Sequence, residues 1–286
     1  MVVHIGPVLI CPMQACFLSS FNSVPLTSIQ GVTVVIPAYN AAKVIASTLD
    51  DVQDWLDAQA VPYEVIVVDD GSKDATATVV TARGRGVRLL VNRQNCGKGA
   101  SVRRGMLAGS MPWRVFLDAD NSTRIDNLLT VDREASNGAN VVIASRRAAD
   151  SNVIRKQHPI RRFLGNSAPM LTKLIALPDL SDTQCGFKAF TAEVSDDVFA
   201  RAIIDRFMFD VEILLLTRRL GHEIREIGVA WDNPTESTLN VQRDLPQMLG
   251  DLFTTTWRLR VKRGLPAVIH TGESLADTDA PELIRQ

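Results

Sequence analysis

Glu64-Val65-Ile66-Val67-Val68-Asp69-Asp70-Gly71-Ser72 holds the pattern that decides the fold. Val65–Val68 are β-branched without a break, as suits a strand buried on both faces. Asp69-Asp70-Gly71-Ser72 then turns the chain, and Ser72 or Asp74 has the side chain to cap a following helix. The unit recurs on either side. Val32–Ile36 reads as a strand ending at Pro37, followed by helical apolar spacing from Asn40 to about Ala58. Val87–Val91 is a third strand, and Gly97-Lys98-Gly99 opens a helix to about Ala108. Val115–Leu117 is a fourth, running straight into Asp118-Ala119-Asp120. Ile125–Ala135 reads as helix and Asn140–Ala144 as a fifth strand. Such alternation predicts an α/β fold, a Rossmann-like, mostly parallel sheet flanked by helices. Ligands of such sheets bind at the carboxyl ends of the strands, where Asp69, Asp70, Asp118 and Asp120 all fall.

The second half is less regular. Residues 155–178 mix Arg155, Lys156, Arg161, Arg162 and Lys173 with apolar residues at helical spacing, the pattern of an interfacial helix or of one packed on the sheet. Residues 208–220 read as a helix, 223–231 as a strand and 245–263 as an amphipathic helix. The boundaries expected are an uncharged leader over 1–30, poorly ordered or peripheral, an α/β half over 31–147, a second half of the same domain over 148–264, and a disordered tail over 265–286. The leader lacks the basic start of a signal peptide, and Pro7 and Pro12 interrupt its apolar run. A formal net charge of -1 gives no global attraction to nucleic acid or anionic membrane, so no nucleic-acid partner is expected. The four cysteines form no C-x-x-C pair, which argues against a zinc site or a disulfide framework and favours a reducing cytoplasm.

Asp118-Ala119-Asp120 is the sharpest chemical signal. Two carboxylates one residue apart beyond a strand can share one side and hold a divalent cation against a diphosphate. An all-oxygen site suits Mg²⁺ or Mn²⁺. Gly97-Lys98-Gly99 at a helix start allows a close backbone approach and favours anions, and Lys98 can meet a phosphate. Ser145-Arg146-Arg147 closes the fifth strand, and arginine forks suit phosphate oxygens.

Val34-Val35-Ile36-Pro37-Ala38-Tyr39-Asn40, Val67–Ser72, Asn95-x-Gly97-Lys98-Gly99 and Asp118-Ala119-Asp120 together resemble family 2 inverting glycosyltransferases of the A-type fold. Asp182-Thr183-Gln184-Cys185-Gly186-Phe187-Lys188 and Phe209-Asp210-Val211-Glu212 are similar to dolichyl-phosphate β-glucosyltransferases and related polyprenyl-phosphate glycosyltransferases. The resemblance covers roughly residues 31–262. It implies that Pro37, Tyr39, Asp69, Asp70, Asp118 and Ala119 surround a nucleotide sugar, with Lys98 and Arg103 near it, and that Asp120 holds the metal. It implies acceptor contacts from Ser145, Arg146, Arg147 and Gln184, and catalytic parts for Asp120, Arg146 and Asp182. Ala41 stands where many relatives have glutamate, and Ser122 where mannosyl relatives have glutamine; the second departure favours a glucosyl donor, UDP-glucose above others.

The expected reaction is metal-dependent, inverting transfer of a hexose to a polyprenyl phosphate. The alternatives are the same core glycosylating a soluble hydroxyl or amine, a nucleotidyltransferase, or a sugar-nucleotide-binding module. Asp182 separates the first two. An anionic acceptor needs no strong base and leaves it to orient neighbours, whereas a hydroxyl acceptor would make it the general base. Gln184 and Glu212 are further candidates for sugar contacts, Glu212 with an equal claim to a structural part. The expected location is cytoplasmic, with room for peripheral contact at the inner face of the membrane and for a homodimer.

Overall fold

The β-branched runs form the strands their pattern requires. A computed structural model describes residues 25–83, 86–148, 152–153, 175–231, 241–261 and 265–268. In chain order these hold β1 (Val32–Ala38), α1 (Ile45–Gln59), β2 (Tyr63–Asp69), α2 (Thr76–Arg83), β3 (Val87–Val91), α3 (Lys98–Ala108) and β4 (Trp113–Phe116). A 3-10 turn at Ile125–Asn127 leads into α4 (Leu128–Ser136), then β5 (Val141–Ser145) and β6 (Asn152–Val153). The chain continues through β7 (Lys188–Thr191), α5 (Ala192–Phe199), α6 (Phe209–Arg219), β8 (Arg225–Gly228), β9 (Ala230–Trp231) and α7 (Val241–Thr256), which runs into a π-helical turn at Trp257–Val261.

Seven strands make one sheet in the order β3-β2-β1-β4-β7-β5-β8, and β6 pairs with β9 in a separate ribbon. Every neighbouring pair in the large sheet is parallel except those of β7, which runs antiparallel to both β4 and β5. Strand alternation sends the apolar residues to two faces. Val34, Val65 and Val115 pack under α1 and α4 with Leu49 and Leu128. Val35, Ile66 and Phe116 pack against α3 and α6 with Val102 and Phe209.

Several boundaries differ from the sequence reading. The first helix starts at Ile45 because Asn40 sits at φ 52, after which Ala41 O accepts the N–H of Val44 and Ile45. The second helix starts at Thr76, whose N–H is capped by Asp74 Oδ1, while Ser72 Oγ accepts from Asn40 N. The strand expected over 223–231 divides into β8 and β9. The final helix covers 241–256 plus the π turn. Strand β7 and helix α5 were not foreseen. The leader boundary also moves. Leu26 and Ile29 are buried, and the carboxylate of Asp132 on α4 takes the N–H groups of Thr27, Ser28 and Ile29, so 25–30 belong to the folded unit. The interfacial stretch, apart from its last residues 175–178, lies outside the described residues, as do residues 1–24 and the tail beyond 268. Among the described residues, no helix is long and apolar enough to cross a membrane.

Candidate functional site

The parallel strands β1, β2 and β4 deliver their carboxyl ends to one edge of the sheet, and β7 completes that edge from the opposite direction. Because β7 is antiparallel, Lys188 at its start pairs with Phe116 at the end of β4. The loop 182–187 is thereby laid against Asp118. A Cβ on Gly186 would overlap the Asp118 carboxylate, so glycine is required here for close approach, not for an unusual φ.

Asp118 is held by Lys98, the first residue of α3, with Nζ 2.5 Å from Oδ1. Burial alone would pull the lysine's pKa down, but the Asp118 and Asp210 carboxylates outweigh it and hold the ammonium above its ordinary value. Asp120 lies close enough to Asp118 for the two charges to oppose each other. Burial first, and then Asp118, push the Asp120 carboxyl up, although Ser122 donates to it. Thr48 on α1 fixes the turn between them by donating to Ala119 O at 2.7 Å.

Beneath these groups lies a second charged pair. Lys188 and Asp210 are buried and joined directly, and Lys188 Nζ also donates to Cys185 O at 2.8 Å. Phe116 and Phe209 wall them in, with ring centroids 5.8 Å apart. Lys188 Nζ lies 5.3 Å from the Phe116 ring and Lys98 Nζ 6.0 Å from that of Phe209, both within cation–π range. The family resemblance includes Lys188 and Asp210 without implying a part for either. Their signal was a single charge set inside each of two apolar runs, Gly186-Phe187-Lys188-Ala189-Phe190 and Met208-Phe209-Asp210-Val211.

At the end of β5, Arg146 forks onto Asp182, with Nε to Oδ2 at 2.6 Å and Nη2 to Oδ1 at 2.9 Å. Asp182 also accepts the N–H groups of Arg146 and Gln184. It is 1% exposed. Burial pushes its carboxyl up, but Arg146 outweighs this and holds it below the usual carboxylate range. Glu226 on β8 secures the loop from the other side by accepting from Ser181 N and Asp182 N.

The remaining predicted residues are distributed unevenly. Asp70 is buried, with both oxygens engaged by Asn92 Nδ2, Cys96 N and Gly97 N, so it shapes the loop in front of α3. Gly97 takes φ +107 in that loop, close against Asp205 O. Asp69 accepts from Ser72 N. Pro37 is half-buried at the tip of β1 and Tyr39 is exposed beyond it. Ser145 is buried and its Oγ accepts from Arg147 N, while Arg147 is exposed. Arg103 is not brought to the strand tips. Five residues after Lys98 on a helix of 3.6 per turn, it faces another way and pairs with Asp205 and Ala202 O. Glu212 holds Ile203 N and Ile204 N and pairs with Arg258, so its part is structural.

Among the described residues, no group of three or more His, Cys, Asp or Glu side chains is arranged to hold a metal by itself. Two neighbouring carboxylates still fit a hard divalent ion whose other ligands come from phosphates and water, the usual arrangement for Mg²⁺. Burial and then the neighbouring Asp118 charge raise Asp120, and such an ion would relieve the repulsion between the two carboxylates.

Residues 33–199 match the model of "Glycosyl transferase family 2". The chain is 31% identical over 261 residues to a dolichyl-phosphate beta-glucosyltransferase of Dictyostelium discoideum, covering 84% of this chain and 80% of the relative. It is 34% identical over 258 residues to another from Trichomonas vaginalis, covering 82% and 75%. Glucosyl-3-phosphoglycerate synthase from Mycobacterium tuberculosis, solved with uridine diphosphate, superposes with a TM-score of 0.60 at 21% identity, over 80% of this chain and 79% of that one. At that identity the likeness establishes the shared A-type architecture. With the family model spanning the strand tips and the 182–188 loop, the chain belongs to glycosyltransferase family 2.

Proposed function

We propose that this glycosyltransferase moves glucose from UDP-glucose to a polyprenyl phosphate with inversion at the anomeric carbon. The observation that carries the acceptor assignment is the state of Asp182. Its oxygens receive four N–H bonds, three from Arg146 and one from Gln184, and its charge is matched by a guanidinium. A carboxylate so engaged is a poor proton acceptor, which suits an acceptor oxygen that is already anionic. The names of the relatives, dolichyl-phosphate beta-glucosyltransferases, support the same acceptor and sugar.

In this reading Asp118 and Asp120 hold Mg²⁺ or Mn²⁺, which when bound offsets the charge of the diphosphate leaving group. Lys98, already beside Asp118, meets a phosphate oxygen. Pro37 and Tyr39 at the tip of β1 and the Asp70-braced loop border the nucleoside. Arg146, held in orientation by Asp182, faces the acceptor phosphate with Arg147 beside it. The phosphate oxygen attacks the anomeric carbon from the side opposite the diphosphate. The sugar–diphosphate bond breaks as the new bond forms, so an α-linked donor gives a β-linked product.

Incubation of purified protein with radiolabelled UDP-glucose, Mn²⁺ and detergent-solubilised polyprenyl phosphate should give an organic-soluble, acid-labile, β-linked glucolipid. Failure to make any lipid-linked sugar from a panel of nucleotide sugars, alongside transfer to a soluble hydroxyl acceptor, would overturn the assignment.

A further inference from the structure

Helix α7, with the turn that follows it, carries an unusual outward face. Met248, Leu252, Thr255 and Leu259 turn inward and are buried. Gly250, Phe253, Trp257 and Arg260 occupy the opposite stripe at spacings of three and four residues and are exposed. Phe253 is 56% exposed and Trp257 61%, the highest values among the described large apolar side chains. Two bare aromatics one turn apart call for a partner that takes apolar surface. Ile203 is also exposed, and it lines the same hollow of about 320 Å³ as Thr254 and Arg258.

The charge around this face identifies the partner. Between Asp251 and Glu273 the sequence has no acidic residue, yet it carries Arg258, Arg260, Lys262 and Arg263. Arg258 pairs with Glu212, whereas Arg260 is exposed on the same stripe as the rings, with its Nη1 donating to Ile175 O, and Lys262 and Arg263 follow it in the sequence. Leu265 and Val268, farther along, are exposed as well. An aromatic stripe followed by clustered cations matches an anionic bilayer surface, where the rings sit at the headgroup level and each basic residue meets lipid phosphate. A second copy docked through the same stripe would set two basic clusters against each other. The chain as a whole, with formal net charge -1, offers no such attraction, so the patch is local.

We infer that the outward face of α7 and the following turn, Phe253, Trp257 and Arg260, docks this enzyme on an anionic lipid bilayer. The inference deepens the lipid-acceptor reading by naming the surface that brings the enzyme to its substrate. A relay of contacts links this face to the helix that opens at the site. Arg258 holds Glu212, Glu212 holds the backbone of Ile203 and Ile204, and Asp205 O accepts Ala100 N in the helix that begins with Lys98.

The test is co-sedimentation of the full chain with vesicles of phosphatidylcholine alone or with added phosphatidylglycerol, free of polyprenyl phosphate and donor. Wild type should bind the anionic vesicles, less so at high salt, with a blue shift in tryptophan emission. The double substitution Phe253→Ser, Trp257→Ser should weaken partition by about tenfold or more. Arg260→Gln, which keeps the rings, should reduce only the preference for anionic lipid. Both variants should keep their activity on detergent-solubilised acceptor. Absence of vesicle binding, or equal binding by the double variant, overturns the inference, as does a wild-type dimer that the double variant dissolves without any vesicle binding. The two readings fail separately. Vesicle binding without a glucolipid product sinks the proposed function alone, and glucolipid synthesis in detergent without vesicle binding sinks this inference alone.

Discussion

Gly186→Ala is the smallest change that should disable the site. A Cβ at that position would lie 2.7 Å from Asp118 Oδ1 and nearer still to the other carboxylate atoms. Carbon needs about 3.5 Å, and the nearest carboxylate atom is Oδ2, so the carboxylate must retreat by about 1.5 Å or the 182–187 loop must lift by as much. A displacement of that size in a positioned catalytic group typically costs about a hundredfold in rate, or about 2.7 kcal/mol of transition-state stabilisation. The obstruction is the end of a side chain, not backbone, so the fold should survive. The assay is steady-state kcat/KM with UDP-glucose across a Mn²⁺ titration, with thermal melting in parallel. Gly250→Ala is the control. It sits in α7 with nothing within 4 Å of a new Cβ, and should leave kcat/KM unchanged while raising stability by up to about 1 kcal/mol. If Gly186→Ala keeps wild-type kcat/KM and metal dependence, the position of Asp118 is immaterial and the reasoning about the site collapses.

Three further outcomes follow. Lys98→Met should weaken UDP binding by about tenfold in calorimetry, the loss expected for one charge-assisted hydrogen bond to a phosphate; unchanged affinity would remove Lys98 from the donor site. Asp182→Asn should raise the acceptor KM while kcat falls far less than the roughly hundredfold or more of a lost general base. Because Arg146 holds the Asp182 carboxyl below its ordinary value, it is ionised throughout the neutral range, and an acid limb of the wild-type pH–rate profile that disappears in Asp182→Asn would contradict this. Asp132→Ala should destabilise the protein by about 3 kcal/mol, because three backbone N–H groups and the Thr27 hydroxyl lose a charged acceptor. Burial raises the Asp132 carboxyl, but those donors outweigh it and keep it lowered, so its contribution is present above the unfolded value near pH ~3.9 and is lost as pH falls through the folded one. Melting curves of the two proteins should therefore converge in acid; a constant gap would refute the linkage.

The first two strands were legible because each holds an unbroken β-branched run, Val32–Ile36 and Val65–Val68, and burial on both faces writes that pattern directly into a parallel strand. β7 was not, because Lys188-Ala-Phe-Thr is four residues long and opens with a charge. The carboxylate of Asp210, distant in sequence, together with Cys185 O, makes a buried lysine tolerable there. The strand-tip carboxylates were visible because their place in the α/β pattern is a local property. The contact of Gly186 with Asp118 and the turning of Arg103 towards Asp205 were not, since both depend on which strand lies beside which. Glu212 could be read either way from the sequence. Its two backbone donors and Arg258 settle it as a brace for the 203–204 turn.

The antiparallel strand in the middle of the sheet has a consequence for how the enzyme matures. Among the described residues, β5 and β8 join the other four strands of the sheet, β3, β2, β1 and β4, only through β7, so synthesis must run past residue 191 before the two portions can be stitched. That same stitch seats the glycine against the aspartate. A chain that stops short of β7 therefore lacks the strand that seats Gly186 against Asp118, and the cleft is complete only once the sheet has closed.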